Sequence, residues 1–456
     1  MSQSATLSSS QMPVRVPLST EKWGMLRSLS AVRQNVLSII PKVATEQPIV
    51  SGRTGKRWHM VMDPTTIREV LLDRVEDYPK SVVTKNLLKP AIGDSLFIAE
   101  GAHWRWQRRA AAPAFSHRNV RNLSPIMTGA AERSAQRIAD AGPRAVDMLD
   151  EMTKATFDVI GDVTFSDGNG FDRAAVHKAI DHYIADAGRI GLLDVLGVPD
   201  WVPRPGRVRS VAALGDMKRM ADAAVEARAA RGPEQTPDLL DLLLAGEDPK
   251  TKRQMNVAEV RDNLLTFIVA GHETTALTLA WALYLLAFDP AVQDKARAEV
   301  QQVLNGRACT GDDIEDLPYI RMIIDETLRL YPAAGMISRT AQVKDQLNAH
   351  DVLPGDTVMI PIYALGRHKL LWDDPDHFRP ERFADRKKID RYAYLPFGDG
   401  PRICIGASFA LQEAVIILAT LLAQFSFTAV KGKTPEPVMI LTLRPEGGVW
   451  LTAKPV

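Results

Sequence analysis

Apolar residues recur at helical spacing over most of the chain. After Asn256 they fall at Val260, Leu264, Phe267 and Ile268, and the pattern runs to Phe288, where Asp289-Pro290 stops it. Asn256 can cap and Glu259 sits at the reciprocal capping position, so the spacing predicts a helix over 257–288. At about 1.5 Å per residue that helix is roughly 48 Å long, enough to cross a whole domain. A second helix is marked by Ile320, Ile323, Ile324, Thr327 and Tyr331 and ends at Pro332; a third carries Leu411, Ala414, Leu418, Leu421 and Phe425. The uncharged stretches Thr274 to Phe288 and Ala414 to Val430 fall short of the roughly 20 residues of a spanning helix. We read both as buried core helices, although Gln424, Ser426 and Thr428 make the end of the second polar on alternate positions.

Strand-like patterns flank this helical body. Ile49–Met62 reads as two short strands around a Gly-bounded turn, 352–360 as two strand pieces around Pro354-Gly355, and 438–451 as a hairpin. Breaks in the helical pattern fall at Gly93-Asp94, at 167–170 and at 203–206, with an exposed connection over 231–237. Residues 1–20 form a polar tail with no signal-peptide core and read as loose. The chain is therefore expected to be mainly α with small β regions. A tail and first helix occupy 1–44 and one domain occupies 45–456, β-rich at about 45–63, 338–363 and 430–456.

Charge narrows the function. The 56 Lys and Arg against 55 Asp and Glu leave a net +1, which argues against a general nucleic-acid binder. Two cysteines, Cys309 and Cys404, exclude a disulfide framework and suit a reducing cytoplasm. Stable membrane insertion is not expected.

Candidate chemistry lies in three segments. In Phe397-Gly398-Asp-Gly400-Pro-Arg402-Ile-Cys404-Ile-Gly406 a single Cys sits among glycines, directly before a helix. Glycines let backbone fold closely around the sulfur, while the helix N-terminus and Arg402 favour a thiolate. The bland alternative is an inert core cysteine. Cys309 has no such setting and reads as a surface bystander. The second segment, Ala270-Gly271-His272-Glu273-Thr274-Thr275, interrupts the long apolar helix with a Gly that costs roughly 1 kcal/mol relative to Ala. Ala270, Gly271 and Thr274 share a face on which a flat cofactor can approach, and the Thr274 hydroxyl can bond the Ala270 carbonyl and open the turn. Ordinary Thr packing beside a solvated His-Glu pair is the alternative. The third, Glu326-Thr-Leu-Arg329, is an i,i+3 pair that by itself could be a weak surface bridge.

The segment Phe397–Gly406 resembles the haem-ligand loop of the cytochrome P450 superfamily, Phe-x-x-Gly-x-Arg-x-Cys-x-Gly, at every defined position. Residues 270–275 likewise match that family's Ala/Gly-Gly-x-Asp/Glu-Thr motif. Glu326 and Arg329 with Pro380-Glu-Arg382-Phe383 match its Glu-x-x-Arg and Pro-x-Arg-Phe elements. The likeness spans about residues 45–452; Gly366 departs from it, where many members carry His.

The resemblance implies a P450 fold, mainly α with a small β region, and haem b with Cys404 as the iron ligand. Phe397, Gly398, Gly406, Ala270 and Gly271 would lie against the haem, while Trp104, Arg108, Arg339 and Arg402 would meet its propionates. Glu273 and Thr274 would relay protons during oxygen activation, and Glu326, Arg329 and Arg382 would form a buried structural network. Phe267, Val269, Ala270, Ala333, Ala334, Ile337 and the stretch Leu441–Leu443 would line a substrate pocket. The implied activity is insertion of one oxygen atom of O₂ into an apolar small molecule by a cytoplasmic, monomeric, bacterial-type enzyme. A peroxide-driven peroxygenase and a non-catalytic haem sensor or carrier are the rivals. The chain runs only about fifty residues past Cys404, too few for a reductase domain. NAD(P)H is therefore expected to act only through a separate ferredoxin and its reductase. Residues 101–131 carry Arg105, Arg108, Arg109, Arg118 and Arg121 and no acid. We expect Arg105 and Arg109 to present an exposed basic patch to an acidic ferredoxin, against the alternative of a merely solvated helix face.

Overall fold

The computed structural model describes residues 12–21, 23–164, 208–235 and 237–456. The breaks read at 167–170 and 203–206 lie outside the described residues.

The long helix forms as its pattern requires, over Val257–Phe288. Its capping box closes both ways: Glu259 N–H donates to Asn256 Oδ1 (2.9 Å), and Asn256 N–H donates to Glu259 Oε2 (3.0 Å). From Thr275 to Leu286 every residue is buried, so this helix is the core's axis rather than an amphipathic surface element. It packs against the helices Met148–Thr164, Pro318–Leu330 and Ala407–Gln424. Trp281 anchors the crossing. Its ring stacks on Tyr331 with centroids 4.0 Å apart, and its indole N–H donates to the Leu443 carbonyl (3.0 Å).

The strands are β1 Ile49–Thr54, β2 Lys56–Val61, β3 Val146–Asp147, β4 Ile337–Thr340, β5 Asp345–Leu347, β6 His350–Val352, β7 Thr357–Ile360, β8 Phe425–Ala429, β9 Glu436–Met439, β10 Leu443–Glu446 and β11 Trp450–Pro455. The largest sheet has the order β1-β2-β7-β4, in which β2 runs parallel to β7 and the other neighbours are antiparallel. Gly55, at φ 74°, makes the tight β1–β2 turn expected between those strands.

Four readings are corrected. The apolar run 414–430 is not one helix: the helix ends at Gln424 and β8 follows. The alternation noted at Ser426 and Thr428 is the period of a strand whose Phe425 and Phe427 are buried. The hairpin at 438–451 is shorter than expected. β9 pairs with β10, then Gly447 and Gly448 at positive φ turn the chain so that β11 joins β8 and β3 instead. The tail is not loose over 12–19: Val14 N–H donates to the Tyr284 hydroxyl, Val16 N–H to the Tyr363 hydroxyl, and the Tyr331 hydroxyl to the Val14 carbonyl. Cys309 is no surface residue either; it is fully buried and burial pushes its thiol pKa up to about 12.

Candidate active site

The cysteine segment wraps one end of a cavity of about 400 Å³ whose opposite wall is the middle of the long helix. Cys404 N–H donates to the Phe397 carbonyl (2.9 Å), which closes the loop on itself. Gly400, at φ 71°, lets it press on the chain before it: a Cβ there would lie 2.1 Å from the Leu71 carbonyl oxygen. The surface of Cys404 left uncovered by protein opens on the cavity, as do Phe397, Gly398 and Gly406. Burial raises the thiol's pKa, opposed by the Gly406 N–H and by the charges of Arg108 and Lys80. A bound cation would favour the thiolate outright.

Across the cavity, Ala270, Gly271 and Thr274 lie on the wall. The Thr274 hydroxyl donates to the Ala270 carbonyl (2.8 Å), Thr275 to Gly271 (3.2 Å) and Thr278 to Thr274 (2.9 Å). Three back-bonds of this kind within five residues loosen the helix without breaking it. Gly271 serves two neighbours, since the Cβ it lacks would sit 3.3 Å from Ile160 Cδ1 on the adjoining helix.

Glu273 is not on the wall. One residue from Thr274 is about 100° around the helix. Its carboxylate accepts from the Thr442 hydroxyl (2.9 Å) and lies 3.8 Å from Arg444 Nε, on the side of β10. The same rotation places Val269 off the wall, and Leu443 sits behind it, fully buried, with its carbonyl on Trp281. Of the expected pocket residues, Phe267, Ala333, Ala334 and Ile337 do line the cavity. Phe115 meets Phe267 edge-to-face at 4.9 Å and extends that apolar lining.

At one end of the cavity the wall is cationic. Arg108, Arg339 and Arg402 line it with Trp104, and so does Lys80, which the sequence did not single out. Arg402 is held by the Ala99 carbonyl (2.9 Å) and Glu100, and its guanidinium lies 4.3 Å from the Trp104 ring centroid. Burial and the neighbouring Arg402 push Arg339 down to about 10, so it is still a cation at neutral pH. Its buried Nε has no hydrogen-bond partner. Burial also lowers Arg108, for which no hydrogen bond is found among the described residues. An acid-poor group of cations next to a thiol-bearing loop suits a flat cofactor that carries carboxylates, so these residues fit the haem that the resemblance implies.

Sequence reasoning also missed Glu413. It is fully buried on the helix after Cys404, bonded to Thr275, with its Oε2 unpartnered and its pKa well above the ordinary carboxylate range through burial. A lone acid in the apolar run Ala410–Leu418 was the available signal.

Glu326, Arg329 and Arg382 do come together, away from the cavity. Arg329 Nε and Nη2 donate to the two Glu326 oxygens at 2.7 and 2.8 Å, and Arg382 Nε lies 3.3 Å from Oε1. Gly366 is explained here: a Cβ would lie 2.3 Å from the Arg329 carbonyl oxygen, and the Gly366 carbonyl itself accepts from Arg329 (2.5 Å).

The expected basic patch is corrected. Arg109 is clamped by both oxygens of the fully buried Asp248 (2.6 and 2.7 Å), Arg105 pairs with Glu76 (2.5 Å) and Arg121 with Asp312 (2.6 Å). The acids come from distant segments, which a count along residues 101–131 cannot see. Arg118 alone of the five is exposed with no ion pair found among the described residues.

The cytochrome P450 family pattern matches residues 18–453. The chain is 32% identical over 417 residues to a cyclooctat-9-en-7-ol 5-monooxygenase of Streptomyces melanosporofaciens, covering 90% of this chain and 89% of that enzyme. To a cytokinin hydroxylase of Arabidopsis thaliana it is 31% identical over 439 residues, 92% and 85% of the two chains. A bifunctional cytochrome P450/NADPH–P450 reductase of Bacillus subtilis is 33% identical over 376 residues, which are 80% of this chain and 35% of that protein.

Proposed function

The chain belongs to the cytochrome P450 family of haem monooxygenases, and from that premise we propose that it binds haem b through Cys404 and hydroxylates an apolar small molecule with electrons from a separate ferredoxin and its reductase. The observation that carries this reading is the arrangement of one cavity: a cysteine loop at one wall, the Thr274 turn at the other, apolar side chains between them and under-paired cations at one end. Haem iron bound to a thiolate supplies the O–O cleavage on which the reaction depends.

The chain's own residues do the rest. Cys404 gives up its thiol proton, a loss its burial alone resists and which Arg108, Lys80 and the Gly406 N–H favour. Arg108, Arg339 and Arg402 hold carboxylates of the cofactor, with Trp104 packed beneath Arg402. Thr274 holds a hydroxyl at the cavity wall, tethered to the Ala270 carbonyl, where it can accept and donate a proton. Glu273 supplies the acid one residue away and must leave Thr442 to reach the cavity. Phe267, Phe115, Ala333 and Ala334 exclude water and favour an apolar ligand, which supports that substrate class. Regions with a fused reductase occur in the Bacillus relative; here the proposed donor is a ferredoxin, and the proposed setting is the cytoplasm.

The test is product formation with labelled O₂. Incorporation that requires NAD(P)H, ferredoxin and reductase supports the proposal. Turnover with H₂O₂ alone at an equal rate would make the chain a peroxygenase. Haem binding without any product under either regime, for every ligand that perturbs the haem spectrum, would make it a sensor or carrier.

A further inference from the structure

The hydroxyls that line the cavity differ in where their hydrogens go. Among the described residues five threonines line it, Thr84, Thr266, Thr274, Thr275 and Thr278. The four on the long helix donate to carbonyls of that helix: Thr266 to Asp262 at 2.7 Å, and the other three at 2.8, 3.2 and 2.9 Å. Their hydrogens are spent on backbone. Ser338 lies between Ile337 and Arg339 on β4. The alternation that brings those two side chains to the cavity turns the Ser338 hydroxyl to the other face of the sheet.

Thr84 is different. It stands in the first turn of the helix Val82–Ile92, which Ser81 caps. Ser81 Oγ accepts the Thr84 N–H (3.2 Å) and lies 2.9 Å from Thr84 Oγ1. Two hydroxyls this close share one hydrogen bond, and burial decides its direction. Ser81 is 4% exposed, and no other acceptor for its hydroxyl is found among the described residues. With Thr84 as donor, the Ser81 hydrogen would be buried and unpaired, the costlier arrangement. Ser81 is therefore the donor and Thr84 Oγ1 the acceptor. The Thr84 hydrogen is left for whatever enters the cavity. The cations at the end of the cavity are themselves donors and cannot take it. Elsewhere the lining is largely apolar, with Leu96, Phe97, Phe115 and Phe267 in it. An apolar cavity with one directed donor fits an apolar molecule that carries one acceptor.

We propose that the substrate is an apolar molecule that already bears an oxygen, as a ketone or an alcohol, and that Thr84 donates to that oxygen and so sets the molecule's orientation in the cavity. The inference rests on the monooxygenase reading above. A carboxylate of the cofactor is the other acceptor that could take this hydrogen, and the experiment separates the two.

Dissociation constants are measured for two matched pairs, cyclododecane with cyclododecanone and adamantane with 2-adamantanone. They are read from the ligand-induced absorbance shift of the haem-loaded protein and, separately, by titration calorimetry. Thr84→Val should weaken both ketones about tenfold and leave the hydrocarbons unchanged or tighter. Thr84→Ser, which keeps the hydroxyl, should bind the ketones as wild type does. Thr84→Ala replaces the valine variant should that one fail to fold. Equal changes for ketone and hydrocarbon, or ketone affinity that survives loss of the hydroxyl, would overturn the inference. So would a wild type that binds neither ketone. Faster haem loss in Thr84→Val with ketone binding intact would also overturn it, because the hydrogen would then serve the cofactor. A chain that takes up no haem would sink the haem reading instead, while the calorimetric comparison would still judge Thr84.

Discussion

Two of the buried charge clusters among the described residues, one around Glu326 and one at the cavity, are built on opposite principles. Around Glu326 every polar atom is matched. The five N–H bonds of Arg329 go to the two carboxylate oxygens of Glu326 and to the carbonyls of Gly366, Pro375 and His377, while Arg382 and the Arg379 N–H complete the acid's partners. Around the cavity, Glu100 pairs with Arg402 and is the acid near Lys80 and Arg339, no acid partner of Arg108 is found among the described residues, and the Arg339 Nε is left without a partner. The first cluster is finished by the polypeptide and has no vacancy for a ligand. The second is finished only by anions the polypeptide does not contain. Burial of charge is common to both; the balance of donors and acceptors is what separates a structural site from a binding site.

Variants that strip a partner from each cluster should therefore behave differently. The largest effect is expected at Glu326→Ala, which leaves Arg329 and Arg382 buried side by side without their acid. Breaking a buried pair in this way costs about 3–5 kcal/mol, to be read as a lower urea midpoint and a collapse in haem-loaded yield. Normal stability would place Glu326 among surface pairs and erase the contrast. Arg109→Glu falls in the same class, since it sets a second acid against the buried Asp248, and its melting temperature should drop at low and high salt alike.

Arg339→Met sharpens the comparison from the other side. The folded-state pKa of Arg339 is pushed below its ordinary value, so at neutral pH the haem-free fold bears the cost of keeping it charged, a cost relieved as pH rises past about 10. Substitution should leave the melting temperature of the apoprotein unchanged or higher, while haem loss quickens about tenfold. If the apoprotein is destabilised instead, Arg339 is structural and the two clusters are not opposites.

Thr274→Ala tests the wall that faces the cysteine. Folding and ligand-induced spectral shifts should persist, because the hydroxyl bonds only its own helix, but reducing equivalents should be diverted from product to peroxide. Unchanged product per NAD(P)H consumed would remove Thr274 from the proton path. The smallest effect is expected at Arg118→Glu, the remaining exposed cation of the 101–131 stretch. It should slow ferredoxin-supported reduction by no more than a few-fold at low salt and not at high salt.

Legibility in the sequence followed the range of the interactions. The long helix was readable to the residue, since its capping box and its Asp-Pro stop are local. The cysteine loop and the Thr274 turn were readable because backbone geometry demands Gly and Thr at fixed offsets. The end of the helix at Gln424 was misread because nine of the ten residues 414–423 are apolar and a strand follows Gln424 without a break. Charge partners were the least legible. Asp248 lies 139 residues from Arg109, and Lys80 meets Arg339 only through a β-bridge. Neither pairing leaves a local mark, so the basic run looked free and Lys80 looked ordinary.

The central claim, that Cys404 supplies the thiolate of a haem site in this cavity, is tested most directly by the carbon monoxide difference spectrum of the reduced protein. Wild type and Cys309→Ser should both give the thiolate-type band, because Cys309 is sealed in the core away from the cavity wall. Cys404→Ser should lose it while any haem that remains gives the spectrum of a haem lacking a sulfur ligand. A thiolate-type band that survives in Cys404→Ser, or disappears in Cys309→Ser, would contradict the account.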